Sequence, residues 1–179
     1  MSDMNAYSGR RFDPVKMTAE DVDITDISHA LSLICRGGGH LKHFYSVAQH
    51  CLNCKKEAKA RGLSERVQLA CLIHDGSEAY ISDIIRPVKI YLDNYVEIED
   101  RILAKVFAHF GLADLSEEEG RLWKGIDDDI LLYEQKYLMV GREHIELPKL
   151  ASTPDVNERG WREVEAEFNE ELRISSADI

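Results

Sequence analysis

The chain has 179 residues, 44% hydrophobic and 31% charged, with a net charge of -11. That length suffices for one domain with a substantial core, and the acidic balance excludes a broad nucleic-acid surface, which needs clustered Lys and Arg. No apolar run is long enough to span a membrane and residues 1–5 lack the basic and apolar regions of a secretory signal, so a cytoplasmic protein is expected, with Cys35, Cys51, Cys54 and Cys71 as free thiols.

Residues 1–22 read as a polar, irregular surface arm, broken by Gly9 and Pro14 and carrying a short basic patch at Arg10 and Arg11. Ile24, Ile27, Leu31 and Ile34 recur with helical spacing and predict a first helix over 23–36, ended by Gly37, Gly38 and Gly39. A second helix is expected over 43–61, closed by Gly62. Val47, His50, Cys51 and Cys54 share one of its faces, which turns His50 inward. Ser64 is a candidate N-cap for a third helix over 65–80. Val67, Cys71, His74 and Glu78 fall on one stripe of that helix, and Asp75 lies about 100° round it.

Arg86-Pro87-Val88-Lys89 breaks the pattern, because Pro lacks the helical donor. A fourth helix is expected over 94–110, stopped by Gly111. Ser116 and Glu119 make a capping box for a fifth helix running to about 140. Asp127, Ile130, Leu131, Glu134 and Leu138 share one side of it. Residues 141–158 form a loop with Pro148 and Pro154; Trp161, Val164, Phe168 and Leu172 then mark a last amphipathic helix before a frayed end at 175–179. No strand pairs stand out. The expectation is an all-α chain in one domain: an arm (1–22), a core (24–140) and a loop plus helix (141–179).

The most concentrated chemistry is Leu72-Ile73-His74-Asp75-Gly76-Ser77-Glu78. A His-Asp pair inside an apolar run is costly unless something pairs with it. A single His on an apolar face is usually just a core residue, but here three helices bring four candidate donors inward. His50, His74, Asp75 and Asp127 offer two imidazoles and two carboxylates. That set suits Zn²⁺, Co²⁺, Mn²⁺ or Fe²⁺ and is poorer for Ca²⁺. In the run Asp127-Asp128-Asp129, Asp127 falls on the apolar stripe, Asp128 is the second choice for a donor, and a solvated acidic face accounts for the others. Cys51-x-x-Cys54 has no second pair and is weak as a structural zinc signature.

In this order, His50, His74-Asp75 and Asp127 resemble the HD-domain metal-dependent phosphohydrolases. The likeness is greatest to the branch with bacterial 5'-deoxynucleotidases and related phage enzymes. It is carried by Tyr45-Ser46-Val47-Ala48-Gln49-His50, by the block from His74-Asp75-Gly76-Ser77-Glu78 through Asp83 to Pro87-Val88-Lys89, and by Asp127 with Glu134 and Leu138-Met139. It covers roughly residues 24 to 140. The resemblance implies an all-α HD bundle of six to seven helices and one divalent transition metal (Co, Mn, Zn, Fe or Ni) on His50, His74, Asp75 and Asp127. It implies Glu78 as general acid/base, with Asp75 beside it in the catalytic set. Arg36 and Lys89 would neutralise phosphate, with Asp83 and Pro87 in the substrate pocket. No additional His pair of the sort that builds two-metal sites is seen, which favours one metal.

The implied substrate is a nucleotide, most closely a nucleoside 5'-monophosphate giving nucleoside and phosphate. Triphosphate release from a dNTP and a non-catalytic nucleotide-binding module are the alternatives. No nucleic-acid polymer or membrane partner is expected, and the family is often homo-oligomeric. In the deoxynucleotidase pattern an aromatic residue follows the Arg matched to Arg36. Here Gly37 follows, so sugar selectivity stays open. His40 and His43 flank the first-His helix and are further candidates to face the pocket.

Overall fold

Residues 3–177 are described by a computed structural model. Among them the helices are α1 (Ile24–Leu33), α2 (Val47–Ala60), α3 (Glu65–Ile73), α4 (Glu78–Ile81), α5 (Arg86–Lys89), α6 (Tyr95–His109), α7 (Glu117–Leu138) and α8 (Trp161–Ala177). Six are long and two, α4 and α5, are single turns, as an all-α bundle requires. No described helix is long and apolar enough to cross a membrane.

α2 and α3 form the centre, α7 packs across both, and α1 and α8 cover the other side. The main core joins Ile27 and Leu31 of α1, Val47 and Cys51 of α2, Leu72 and Ile73 of α3, Val106 of α6 and Phe168 of α8. A smaller cluster of Cys54, Ala58, Val67, Cys71, Ile126 and Ile130 seals the joint of α2, α3 and α7.

Several boundaries differ from the sequence expectation, each for a local reason. α1 stops at Leu33 because residues 34–36 turn extended and lie along 45–47. Arg36 N donates to Tyr45 O at 2.9 Å and Val47 N to Ile34 O at 3.1 Å. Arg36 is thus lifted off the helix onto a 3-10 turn in which Gly37 and Gly38 have φ of +64° and +63°, a conformation that glycine adopts without Cβ strain. α2 begins at Val47 rather than 43, since Ser46 and Gln49 form a capping box.

α3 does not continue to 80. It ends at Ile73, and the bonds from Gly76 N to Ile73 O (2.8 Å) and Glu78 N to Asp75 O (2.9 Å) tighten the chain. A Cβ on Gly76 would stand 2.9 Å from Ile73 O and from Val106 Cγ1, so only glycine lets this turn press onto α6. His74 and Glu78 therefore sit on separate pieces rather than on one helical stripe.

The N-terminal arm contains a short antiparallel pair, β1 (Met4–Asn5) with β2 (Arg11–Phe12), which the sequence pattern does not reveal. It is more than a surface strap, because Met17 and Val22 join the main core. At the other end α8 extends past the point where fraying is expected. Ser175 is buried and its Oγ accepts from Lys55 Nζ at 2.8 Å, while the same Nζ pairs with Glu171. Residues 178 and 179 of that stretch lie outside the described residues.

The loop after α7 is fastened to α2 by Glu57. Its carboxylate accepts from Ala151 N and Ser152 N, each at 2.8 Å, and from Arg61 Nε at 2.7 Å. Burial would raise the Glu57 pKa, but the bonds from Ser152, Ala151 and Arg61 hold it below the usual carboxylate range. Glu57→Ala removes the shared acceptor of these part-exposed donors and is expected to cost about 1–2 kcal/mol in denaturant unfolding. Because the folded-state pKa is depressed, the contribution is present above the unfolded-state pKa and lost as pH falls through the folded one. The wild-type advantage over Glu57→Ala should therefore shrink in acid.

Candidate metal centre

His50 comes from the first turns of α2, His74 caps the end of α3, Asp75 follows it, and Asp127 lies midway along α7. The structure brings these four together. His50 is fully buried and its Nδ1 stands 2.7 Å from Glu134 Oε1. His74 Nδ1 stands 2.8 Å from the Cys71 carbonyl. Both partners accept, so both Nδ1 atoms carry the proton, and a neutral ring then leaves its lone pair on Nε2. Yet the two Nε2 atoms face each other at 3.2 Å.

Facing lone pairs repel, and either a proton shared between the rings or a cation held by both relieves that repulsion. Carboxylates converge on the same point. Asp127 Oδ1 lies 3.1 Å from His50 Nε2 and 3.6 Å from His74 Nε2. Asp75 lies 3.5 Å from His74 Nε2 and 3.9 Å from His50 Nε2. Two imidazole nitrogens and two carboxylates on rigid elements fit a divalent transition cation. Glu134 behind His50 supplies the orienting carboxylate that such ligands need.

The carboxylates draw positive charge to this cluster, whether a proton or a cation. Burial and Arg36 act to lower the His50 pKa, but Glu134 and the bonds to Asp127 and Glu134 push it up to about 9. Burial opposes ionisation of Asp127 and Asp75. Bonds from His50 and His74 nevertheless hold Asp127 far below the usual carboxylate range, and His74, Arg36 and His50 depress Asp75. Between the two candidate aspartates, Asp127 is in the cluster, while Asp128 is 62% exposed and pairs with Arg86 Nη1 at 2.9 Å.

A cavity of about 930 Å³ opens over this floor, bordered by Arg36, His74, Asp75, Glu78, Asp83, Pro87, Lys89 and Asp127. Glu78 is 4% exposed, and its buried Oε2 has no hydrogen-bond partner among the described residues. Burial, then Asp75 and Asp83, push its pKa well above the usual range. Lys89 Nζ pairs with Glu99 at 2.6 Å. Asp83 accepts from Gly37 N at 2.9 Å, bracing the glycine turn that presents Arg36.

Arg36 borders the cavity, but its donors are engaged with the cluster. Nε reaches Glu134 Oε2 and Nη1 reaches Asp75 Oδ2, both at 3.0 Å, and Nη2 lies 3.1 Å from His50 Nε2. Of the two flanking histidines, His40 borders the cavity and His43 is drawn away to the Val156 carbonyl at 2.8 Å.

Sequence reasoning left Glu134 and Tyr45 without a role. Tyr45 OH donates to Glu134 Oε1 at 2.8 Å and accepts from Asn53 Nδ2 at 2.9 Å, completing a buried chain behind His50. The available signal was a carboxylate two turns beyond Asp127 on the same buried stripe. Arg86 was also missed. Its Nη2 lies 2.9 Å from Asp127 Oδ2.

A family model described as HD domain matches residues 34–141, which hold every member of this cluster. The chain belongs to the HD-domain family. In this HD domain the His-Asp pair is His74-Asp75. It is 39% identical over 112 residues to Uncharacterized protein YfdR of Escherichia coli (strain K12), covering 63% of this chain and 60% of that protein. It is 42% identical over 111 residues to an uncharacterized protein of Rhodobacter capsulatus, covering 59% of this chain and 56% of that protein. The chain thus spans less than two thirds of the length of either relative.

Proposed function

We propose that this HD domain is a metal-dependent phosphohydrolase that cleaves phosphate esters of nucleotides. The reading takes a nucleoside 5'-monophosphate as substrate, with nucleoside and phosphate as products. The observation that carries it is the pair of Nε2 atoms facing each other at 3.2 Å between two carboxylates, on the floor of a cavity that also holds Glu78. When bound there, a divalent cation supplies Lewis acidity and charge neutralisation at a phosphoryl group.

The chain's own residues supply the rest. His50, His74, Asp75 and Asp127 hold the cation, and Glu134 fixes the tautomer of His50. Glu78, whose buried surroundings favour its acid form, donates its proton to the leaving oxygen. Lys89 and Arg86 add positive charge at the cavity wall, and Asp83 and Pro87 shape the part that receives the sugar. A cavity of about 930 Å³ lies toward the upper end of the roughly 300–1,000 Å³ range of small-molecule sites, large enough for a nucleotide.

The test is phosphate release with Co²⁺ or Mn²⁺ across NMPs, dNMPs and dNTPs. Inorganic phosphate from monophosphates is the expected result. Intact triphosphate from dNTPs would transfer the reading to triphosphohydrolysis. Absence of turnover on every nucleotide, in protein shown to contain metal, would reject it.

A further inference from the structure

Two buried thiols beside the donor cluster have no part in the function proposed above: Cys51, which groups with His74 and Asp75, and Cys54, which groups with His50 and His74. Cys54 lies one turn after His50 on α2 and is fully buried. Its Sγ is 3.4 Å from His50 Nε2 and 4.0 Å from Nδ1, so it sits beside the ring nitrogen that faces His74 and Asp127 rather than the one committed to Glu134. The donor atoms of His50, Cys54 and His74 all lie within 4.8 Å of one another. Cys54 packs in the small apolar cluster with Val67, Cys71 and Ile130, which gives the sulfur few polar alternatives.

We propose that Cys54 is a sulfur donor to the same cation as His50 and His74, and that this sulfur biases the site toward Zn²⁺, Co²⁺ or Fe²⁺ over Mn²⁺ and Mg²⁺. Thiolate is a soft ligand and favours the more thiophilic cations, whereas an all-N/O site discriminates among them less. The inference rests on reading the His/Asp cluster as a metal centre, and goes beyond it in assigning the sulfur. Binding is an acid–base exchange: the S–H bond breaks, a sulfur lone pair forms the bond to the cation, and the proton passes to solvent. No electron is transferred, so no oxidant or reductant is needed.

The test uses the full chain, stripped of metal and reloaded with one equivalent of Zn²⁺ or Co²⁺. X-ray absorption at the zinc edge should show a sulfur scatterer at about 2.3 Å beside a nitrogen and oxygen shell at about 2.0–2.2 Å. The Co²⁺ form should show a near-ultraviolet sulfur-to-cobalt charge-transfer band. Cys54→Ser should lose both, and its preference for Zn²⁺ over Mn²⁺ in competition should fall at least about tenfold, while Cys51→Ser keeps all three. One bound metal with only nitrogen and oxygen around it overturns the sulfur assignment and leaves the metal centre standing. A sulfur signal that survives in Cys54→Ser overturns the assignment to this residue. If no metal is retained at all, both readings fall. The spectrum of the unmodified chain decides the matter even where a variant folds poorly.

Discussion

Asp75→Ala is expected to remove both the bound cation and turnover. Asp75 contributes one of the two carboxylates at the His50–His74 pair. Removing even an outer partner of a metal ligand typically costs about 10–100-fold in affinity, so loss of a donor should cost at least about 100-fold. The variant also strips Arg36 Nη1 of its 3.0 Å acceptor, and a buried guanidinium that loses a partner destabilises the fold. Asp75→Asn separates the two effects. Its side-chain oxygen still accepts from Arg36, so stability should largely return, while a neutral amide remains a poor ligand. Metal content by elemental analysis, thermal unfolding and phosphate release together give the answer. Full turnover in metal-free Asp75→Ala would exclude a catalytic metal at this position.

Glu78→Gln should behave in the opposite way: metal retained, rate lost. Loss of a positioned proton donor costs about 10²–10⁴-fold in rate. Because the pKa of Glu78 is held up by burial and by Asp75 and Asp83, the acid form persists into a pH range where an ordinary carboxylic acid is ionised. Activity should then fall as pH rises through that raised pKa, and Glu78→Gln should lack this alkaline limb. Stability should move the other way. A carboxyl whose folded-state pKa is raised weakens the fold as pH climbs above its unfolded-state value, so the Gln variant should unfold at a higher temperature than wild type at neutral pH. A variant with unimpaired rate would remove the proposed role of Glu78. One with lost metal would show that Glu78 belongs to the cation's own environment.

The sequence exposes the donors because the burial pattern betrays them. His50 and Asp127 lie on apolar stripes where a charged or ionisable residue needs a partner, and the stripes of α2 and α7 place them with no tertiary information. Arg36, by contrast, is placed by non-local backbone bonds between 34–36 and 45–47. No periodicity reports such a bridge, so the first helix looks longer than it is. The break after Ile73 is hidden for a similar reason: Gly76 is tolerable inside a helical pattern, and only its contact with Val106 shows why the helix cannot pass. Glu134 was visible as a residue but not as a partner, since its bond to His50 spans 84 positions.

The short helix that carries Glu78 has a further meaning. α4 packs on α1, and its Tyr80 ring meets Phe12 edge-on at 5.8 Å. α2 is in turn gripped from outside by the Ala151 and Ser152 amides and by the Asp155 carbonyl, which accepts from Asn53 at 2.9 Å. Phe12, α1 and residues 151–155 all lie beyond residues 34–141, which the family model matches. The signature is therefore portable while the working site is not. A graft of 34–141 into another protein would carry His50, His74, Asp75 and Asp127, yet leave Glu78 without its backing and α2 without its outer clamp.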